Sequence, residues 1–259
     1  MPSRQFPLRT GIAEVVRVAT LTPSMSRITL AAPELADFGV EEPGEIVTLG
    51  WPAPGRELVL PRRRWRFPPG TEDQHWRNYT VRAYDPARAQ IDVDFFLHGD
   101  GGRASAWAIR AAPGDRIGFA GPRTHWRERN GGADWSLLVA DETGLPALLA
   151  ILETLPAGHR ATALVEVGDD AERQPVESAA DLELHWLSRG GRAPGTTTVL
   201  ADALRDVAPP DGRGRAWGGG EARAMRAVRD HLREQRGLPR ATVQALGYWK
   251  HDTTPEEMW

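Results

Sequence analysis

Residues 135–146 read WSLLVADETGLP, and this stretch decides the fold that the sequence predicts. The continuous apolar run at 137–140 is typical of a buried strand. Thr143 and Pro146 suit the first turn of a helix, because the backbone amides there have no partner within the helix. A strand that leads directly into a helix is the repeating unit of proteins with a parallel sheet.

The same alternation of strands and helices continues from this stretch toward the C-terminus. The first helix is expected to end near residue 155, and Met225, Val228 and Leu232 recur at the spacing of one apolar helix face. Alternating elements favour a Rossmann-like α/β domain with a mostly parallel sheet. Its further strands are predicted at 161–167, 182–187, 215–218 and 242–248.

Upstream of this stretch the chain shows short strands separated by turn residues. Ile91, Val93 and Phe95 alternate with other residues at the period of two that marks a half-buried strand. Six such segments predict a small six-stranded antiparallel β-barrel. The strands are predicted at 11–20, 27–31, 45–49, 78–84, 90–97 and 115–121, and the segment 52–76 is predicted to be a long loop.

A glycine-containing junction at 130–132 separates the two patterns. We therefore expect a first domain at residues 1–130, formed by the barrel, and a second domain at residues 131–259, formed by the α/β unit. A chain of this length is long enough for each domain to bury its own core.

Composition excludes several kinds of chemistry. The chain has 259 residues, a formal net charge of -3 and no cysteine, and Lys250 is its single lysine. Without cysteine there is no disulfide, no thiolate-bound metal and no catalytic thiol, and we predict no metal site in the protein. The near-neutral charge argues against nucleic-acid binding. Without a long apolar run or a signal sequence, we expect a cytoplasmic monomer with no membrane span.

The first candidate site is the segment 77–82, which reads RNYTVR. On a strand, alternate residues share a face, so Arg77, Tyr79 and Val81 lie on one face. Asn78, Thr80 and Arg82 lie on the other face. One interpretation is an exposed barrel strand with solvated arginines. The other is a flavin platform, in which Tyr79 stacks on the isoalloxazine ring, Thr80 approaches its N5 edge and an arginine meets the pyrophosphate.

The second candidate site is the segment 98–108, which reads HGDGGRASAWA. Glycines that lead into a helix allow backbone amides to approach an anion, and the positive end of the helix dipole attracts it. Ser105 could add a hydroxyl donor and Arg103 a guanidinium. A plain turn before a helix, with His98 in a structural role, is the alternative.

Further short motifs follow these two sites in order along the chain. They are Pro113-Gly114-Asp115, Gly121-Pro122, Asp141-Glu142-Thr143, Leu145-Pro146-Ala147, Trp217 with Gly220-Glu221, and Gly247-Tyr248-Trp249. Together the motifs resemble the siderophore-interacting protein family of FAD-dependent ferric-siderophore reductases, which belongs to the ferredoxin-NADP reductase superfamily. The Asp-Glu-Thr and Gly-Tyr-Trp motifs are the most specific to that family.

The resemblance implies two cofactor sites, one in each domain. FAD is expected in the barrel domain, and NADH or NADPH is expected at the carboxyl ends of the strands of the second domain. The resemblance assigns cofactor binding to Arg77, Tyr79, Thr80, His98, Gly102, Arg103, Ala104, Ser105, Trp107, Asp141, Glu142, Thr143, Gly219, Gly220, Glu221 and Trp249. The alternative for the acidic pair at 141–142 is a helix start favoured by the dipole.

Electron counting gives the expected reaction. A nicotinamide delivers two electrons as hydride, whereas reduction of Fe(III) takes one, and a flavin converts between the two. We therefore expect a ferric-siderophore reductase that passes electrons from NAD(P)H through FAD to the ferric siderophore and releases Fe(II). Tyr79, Thr80 and Lys250 are the predicted catalytic residues, with Lys250 at an anionic substrate. The alternatives are a general NAD(P)H-flavin oxidoreductase and a non-catalytic protein that binds flavin or siderophore.

Several residues are left with open roles. The Arg62, Arg63, Arg64 and Arg66 cluster and Arg82 are candidate contacts for an anionic siderophore or ordinary solvated arginines. The family commonly has Pro at the position of Arg103 and Ala at the positions of Gly144 and Gly219, and the two glycines are expected to be mild changes. Arg189 and Arg192 could meet the 2'-phosphate of NADPH. Trp249 covers the flavin, lines the substrate pocket or packs the C-terminus.

Overall fold

The computed structural model describes residues 8–52, 55–62, 67–124 and 132–251. The chain divides into two compact units, Met1–Arg127 and Glu128–Trp259. Arg63, Arg64 and Arg66 of the predicted arginine cluster lie outside the described residues. No helix within the described ranges combines the length and the apolar character needed to cross a bilayer.

The first unit is built on one antiparallel sheet with the order β4-β3-β7-β1-β2-β6-β5. One helix, α1, follows β6 in the chain and packs beside it. The elements are β1 (Arg9–Thr22), β2 (Met25–Ala31), β3 (Ile46–Trp51), β4 (His75–Thr80), β5 (Ala83–Asp85), β6 (Gln90–Phe96), α1 (Arg103–Arg110) and β7 (Arg116–Arg123).

The two outermost strands of this sheet, β4 and β5, are halves of one bent strand. Only Val81 and Arg82 separate them. The Val81 amide donates to the Glu45 carbonyl at 2.7 Å, beside β3, and the Arg82 amide donates to the Asp92 carbonyl of β6 at 2.8 Å. The chain therefore passes directly from one edge of the sheet to the other. This confirms the antiparallel β domain that the sequence predicts, and the predicted strand at 78–84 is observed as the pair β4 and β5.

The barrel core follows the predicted alternation. Ile91, Val93 and Phe95 of β6 are buried in one cluster with residues of the other strands. Asp94 is buried as well, because the Arg27 guanidinium donates to both of its carboxylate oxygens, at 2.6 and 2.8 Å. A paired carboxylate can be buried where an isolated one would be costly.

The predicted loop at 52–76 is two residues too long, since β4 begins at His75. The cause is Trp76, whose ring lies flat over the backbone of the neighbouring strands. A Cβ on Gly50 would lie 2.6 Å from that ring, and a Cβ on Gly118 would lie 3.2 Å from it. Gly50 makes room for the indole, whereas a Cβ on Gly118 would first meet Leu58 at 2.1 Å. Trp76 thus joins the strand although its sequence context is that of a loop.

The second unit contains a five-stranded sheet with the order β10-β9-β8-β11-β12. Every strand pair in it is parallel. This is the order of a doubly wound sheet, whose switch point lies between β8 and β11. The elements are β8 (Trp135–Ala140), α2 (Leu145–Thr154), β9 (Arg160–Val167), β10 (Asp181–Ser188), α3 (Val199–Asp206), β11 (Gly214–Glu221), α4 (Ala222–Asp230) and β12 (Val243–Trp249).

The helices of this unit differ in how clearly the sequence predicts them. Met225, Val228 and Leu232 are buried as predicted, and the last of them lies in a π-helical turn that continues α4. Helix α3 was not predicted. It buries only Leu200 and Leu204, so its apolar face is too short to show a period.

Candidate functional site

Tyr79 of the first unit is held by a group of aromatic rings. Its ring centroid lies 4.4 Å from Phe95 and 6.3 Å from Trp51, and Trp107 lies 5.6 Å from Phe95. Burial raises the pKa of the Tyr79 hydroxyl, and the nearby charge of Arg77 opposes this rise only weakly. The half-buried ring is therefore neutral and fixed in orientation, which suits it for stacking on a flat ligand.

Thr80 and Arg77 flank this ring on the same strand. Thr80 is buried at the last position of β4, directly before the bend at residues 81–82. Arg77 is half-buried, and its guanidinium donates to the Trp76 carbonyl at 2.9 Å. The structure therefore brings the three residues of the predicted flavin platform together at the bend of the strand.

The N-terminus of α1 presents backbone amides without side-chain caps. Gly102 is the N-cap, and no side chain among the described residues caps it. The first bond of the helix runs from the Ala106 amide to the Gly102 carbonyl at 2.8 Å, so the amides of residues 103–105 have no partner within the helix. The described residues leave open space within 4 Å of the Cβ positions of Gly99 and Gly101. This end of α1 fits a diphosphate group.

His98 and Ser105 close the loop that leads into α1. Ser105 is 2% exposed, and its Oγ accepts a hydrogen bond from the His98 amide at 3.0 Å. The His98 ring lies against Gly102, where a Cβ would be 2.9 Å from His98 Cε1. Ser105 was expected to donate to a phosphate, and in the structure its oxygen shapes the loop. Arg103 is exposed beside the free amides.

Trp107 was predicted to bind cofactor together with this loop. Its ring lies 5.9 Å from Trp51 and 5.6 Å from Phe95, in the aromatic group that contains Tyr79. Trp107 thus connects helix α1 with β3 and β6, whose Trp51 and Phe95 both contact Tyr79, and any contact it makes with a cofactor is additional to this packing.

A polar group that the sequence analysis missed lies next to the platform strand. The Arg123 guanidinium donates to Thr48 Oγ1 at 3.0 Å and to the side-chain oxygen of Asn78, and Thr48 donates to that same oxygen at 2.8 Å. Burial lowers the pKa of Arg123. The three residues come from three different strands, so no local pattern could reveal the group.

Asp141 joins three strands of the second unit at their carboxyl ends. Its Oδ1 accepts from the Thr143 amide at 2.8 Å and from the Thr143 hydroxyl at 2.6 Å. Its Oδ2 accepts from the Glu221 amide and from Trp249 Nε1, both at 2.8 Å. These predicted site residues do lie together. However, both oxygens of the Asp141 carboxylate already accept hydrogen bonds from protein groups. One of these bonds holds Trp249 at the end of the sheet.

The glycines near Asp141 serve close packing of the protein itself. A Cβ on Gly144 would lie 2.0 Å from the Gly219 carbonyl oxygen, and a Cβ on Gly220 would lie 2.8 Å from the Asp141 carboxyl carbon. The resemblance assigns Gly219 and Gly220 to cofactor binding. Protein groups occupy the space beside both glycines, and Gly144 is required by the packing, so the expectation of a mild change there was wrong.

Glu142 is part of a buried ion cluster. Arg189 Nη1 and Nη2 each lie 2.7 Å from a carboxylate oxygen of Glu142, and Nη1 lies 3.7 Å from Glu166 Oε1. The three side chains are only 3 to 7% exposed. Burial alone lowers the pKa of Arg189, but the hydrogen bond and charge of Glu142 outweigh it and raise the pKa. Arg189 was a candidate for a 2'-phosphate, and the structure pairs it inside the protein.

A cleft of about 440 Å³ opens at this edge of the second unit. Residues that sequence reasoning missed line it, among them Glu166, Thr197 and His251. Glu221 also lines it and accepts from the amides of residues 223 and 224, so it caps α4, while its other oxygen accepts from the His251 amide at 3.2 Å. Ligands of parallel sheets bind at this position, outside the carboxyl ends of the strands.

Two of the predicted substrate contacts differ in their surroundings. Lys250 is exposed directly after β12. Arg82 is largely buried, and its Nε lies 4.0 Å from Asp94, which also binds Arg27. Much of the charge of Arg82 is therefore balanced within the barrel, whereas Lys250 faces solvent.

Both halves of the chain match models of known families. Residues 14–126 match the siderophore-interacting FAD-binding domain, and residues 133–252 match siderophore-interacting protein. The chain is 31% identical to the NADPH-dependent ferric-chelate reductase of Escherichia coli, with 91% of each chain covered. It is 27% identical to ferric vibriobactin reductase ViuB of Vibrio cholerae, over 95% of this chain and 91% of that protein.

A solved structure supports the same assignment. The crystal structure of a siderophore utilization protein from T. fusca superposes with a TM-score of 0.88 at 37% identity and covers 97% of each chain. The matched regions include the aromatic group, the N-terminus of α1 and the cleft of the second unit. The chain therefore belongs to the siderophore-interacting protein family, and its first unit is a FAD-binding domain.

Proposed function

We propose that this chain is a ferric-siderophore reductase that takes electrons from NADH or NADPH. One observation supports the proposal: a single chain holds both a FAD-binding domain with a fixed aromatic ring at Tyr79 and a cleft at the switch point of a doubly wound sheet. A protein that only carried flavin or siderophore would have no use for the second site. When bound, FAD supplies the conversion between two-electron hydride chemistry and the one-electron reduction of Fe(III).

The residues of the first unit would hold FAD by stacking and by charge. Tyr79 offers a neutral, fixed ring, and Thr80 ends the strand next to it. The amides at the start of α1, which have no partner within the helix, would face the diphosphate, and Arg77 and Arg103 add positive charge. The open space above Gly99 and Gly101 agrees with such a ligand.

The residues of the second unit would form the nucleotide site. Asp141 fixes the ends of β8, β11 and β12 relative to each other, so its role there is positioning. The cleft beside it is bounded by the first turns of α3 and α4. The start of α3 favours the negative charge that a nucleotide diphosphate carries, whereas amides at the start of α4 already bond the Glu221 carboxylate.

The iron would enter as substrate, bound by its own chelator. The chain has no cysteine with which to hold an electron-transfer cluster. Lys250 is exposed next to the Gly-Tyr-Trp segment, and a cation there suits the anionic character of many ferric siderophores.

An anaerobic titration tests the proposal. The purified protein is mixed with NADH or NADPH and the visible flavin absorbance is followed, and a ferric siderophore is then added together with a ferrous-iron trap. We expect the absorbance to bleach with nucleotide and to return with the chelate while Fe(II) is trapped. Bleaching without turnover of any ferric chelate, but with turnover of quinones or free flavin, would identify a general flavin oxidoreductase instead.

A further inference from the structure

Glu166 occupies a special position in the second unit. It lies near the end of β9, next to β8 in the sheet order, and its carboxylate lines the cleft. In doubly wound sheets an acidic residue at the end of the second strand binds the ribose 2'-hydroxyl of NAD, whereas a nearby arginine accommodates the 2'-phosphate of NADP. β8 and β9 are the first and second strands of this unit, so Glu166 has the place of that acidic residue.

Of Arg189 and Arg192, the two arginines predicted to meet a 2'-phosphate, Arg189 is the one that lines this cleft. It follows β10. Both Nη atoms are bound by Glu142 at 2.7 Å, and its Nε donates to the Arg192 carbonyl at 3.3 Å. The side chain is 4% exposed. A phosphate at this guanidinium would have to compete with a buried carboxylate that already binds both Nη atoms, and displacing that carboxylate would leave it without its partner.

The charge around Glu166 is negative on balance. Two carboxylates, Glu142 and Glu166, face one guanidinium in the buried cluster. The other charged or titratable residues that line the cleft are Asp141, Glu221, Arg223 and His251. Thr197 donates to Glu166 Oε1 at 2.9 Å, so one oxygen of Glu166 is oriented by the loop that precedes α3. A 2'-phosphate would bring further negative charge to this place.

We propose that Glu166 makes the chain select NADH over NADPH by accepting a hydrogen bond from the ribose 2'-hydroxyl, and that Glu142 positions Arg189 away from a 2'-phosphate. This inference rests on the proposed function, in that it places the adenosine end of the nucleotide in the cleft of the second unit. It adds a preference for NADH over NADPH as the electron donor, and it attributes that preference to the carboxylates of Glu142 and Glu166.

Calorimetry on the purified holoprotein tests the selection without turnover. The two probes are 5'-AMP and 2',5'-ADP, which differ by the 2'-phosphate alone. We expect 5'-AMP to bind more tightly, and NADH to show a kcat/KM for flavin reduction at least about tenfold above that of NADPH. Tighter binding of 2',5'-ADP, or equal kcat/KM values, would overturn the inference while the reductase function stood. Failure of both nucleotides to bleach the flavin would overturn the proposed function as well.

Two conservative variants assign the effect to residues. Glu166→Gln is expected to lower the preference for NADH about tenfold, the loss expected for one hydrogen bond to a charged group, mainly through a higher KM for NADH. Glu142→Gln loosens Arg189 and is expected to strengthen 2',5'-ADP binding. Glu183→Gln, an exposed carboxylate on β10 that binds His185, is the matched control and should change neither ratio. Unchanged selectivity in both cluster variants, with native melting temperatures, would refute the assignment.

Discussion

Trp249 Nε1 donates a hydrogen bond to Asp141 Oδ2 at 2.8 Å, across 108 positions of sequence. The same oxygen accepts the Glu221 amide, so one carboxylate connects the ends of three parallel strands. The edge of the sheet where ligands bind is therefore held together by the most family-specific motifs of the sequence. The contribution of these motifs to the free energy of unfolding can be measured separately from any contribution to ligand binding.

Asp141→Asn should destabilise the second unit strongly. The amide group would direct N–H donors at donors already present, which leaves buried groups unpaired at about 1–3 kcal/mol each. We expect a loss of about 2–4 kcal/mol in the free energy of unfolding, measured by denaturant titration. Trp249→Phe removes one of these bonds and should cost less. An Asp141→Asn protein as stable as the wild type would show that these bonds contribute little.

Gly144→Ala tests the close approach between the loop after β8 and β11. The new methyl group would lie 2.0 Å from the Gly219 carbonyl oxygen, so the backbone must move. Overpacking of this kind costs about 1–3 kcal/mol, and we expect a lower melting temperature. Gly101→Ala is the control, because the described residues leave open space around its Cβ position. Equal melting temperatures for the two variants would contradict the packing argument.

Glu45→Gln should make the stability of the first unit less dependent on pH. Glu45 is 0% exposed, and this burial raises its pKa above 4.5, although a hydrogen bond from Thr124 opposes the shift. A raised pKa in the folded state stabilises the protein below the unfolded value and loses that contribution as pH rises through the folded value. We therefore expect the variant to be more stable than the wild type at pH 8.

The pH dependence provides the check on this prediction. Denaturation midpoints of both proteins are compared at about pH 4 and pH 8, and the advantage of Glu45→Gln should shrink or disappear at the lower value. The exposed residue Glu57, changed to Gln, serves as the control. A wild-type protein that is more stable than the variant at pH 8 would mean that the carboxylate is satisfied where it lies.

Tyr79→Ala is expected to lose FAD, while Tyr79→Phe retains most of it. The ring provides the stacking surface, and its removal also leaves space beside Phe95. Retention is read as the ratio of flavin to protein absorbance after gel filtration. An alanine variant that elutes with full flavin occupancy would count against the platform at Tyr79.

Lys250→Ala should weaken the use of anionic ferric chelates more than that of neutral ones. The exposed ammonium attracts an anion through solvent, so we expect a rise of about two- to fivefold in KM for the anionic chelate, fading at high salt. Lys250→Arg keeps the charge and is the matched control. The same rise for both kinds of chelate would argue that Lys250 does not act through its charge.

The parts of the fold that local sequence reveals are those with a long, regular apolar pattern. The alternation at Ile91, Val93 and Phe95 and the apolar run of β8 predicted the barrel and the parallel sheet. Helix α3 escaped because Leu200 and Leu204 are its only buried residues. A helix of only eight residues is stabilised mainly by what it packs against, and its own sequence does not show that.

The sequence predicted which residues form the candidate site better than it predicted what each of them does there. Asp141, Glu221 and Trp249 were identified, but their mutual bonds depend on strands that are far apart in the chain. The pairing of Glu142 with Arg189 likewise joins residues 47 positions apart. Residue types and their local spacing indicate which polar groups are present. Tertiary structure decides which other group each of them bonds.

The bent strand formed by β4 and β5 has a consequence for how the protein meets other chains. An open sheet exposes a row of unpaired backbone groups at each edge, and such edges template aggregation. Here Val81 and Arg82 join β4 and β5, the two ends of the sheet order, and their amides bond to Glu45 beside β3 and to Asp92 of β6. The segment that carries Tyr79 and Thr80 is thus also the link between the two edge strands. Binding chemistry and the connection of the two edges depend on the same few residues.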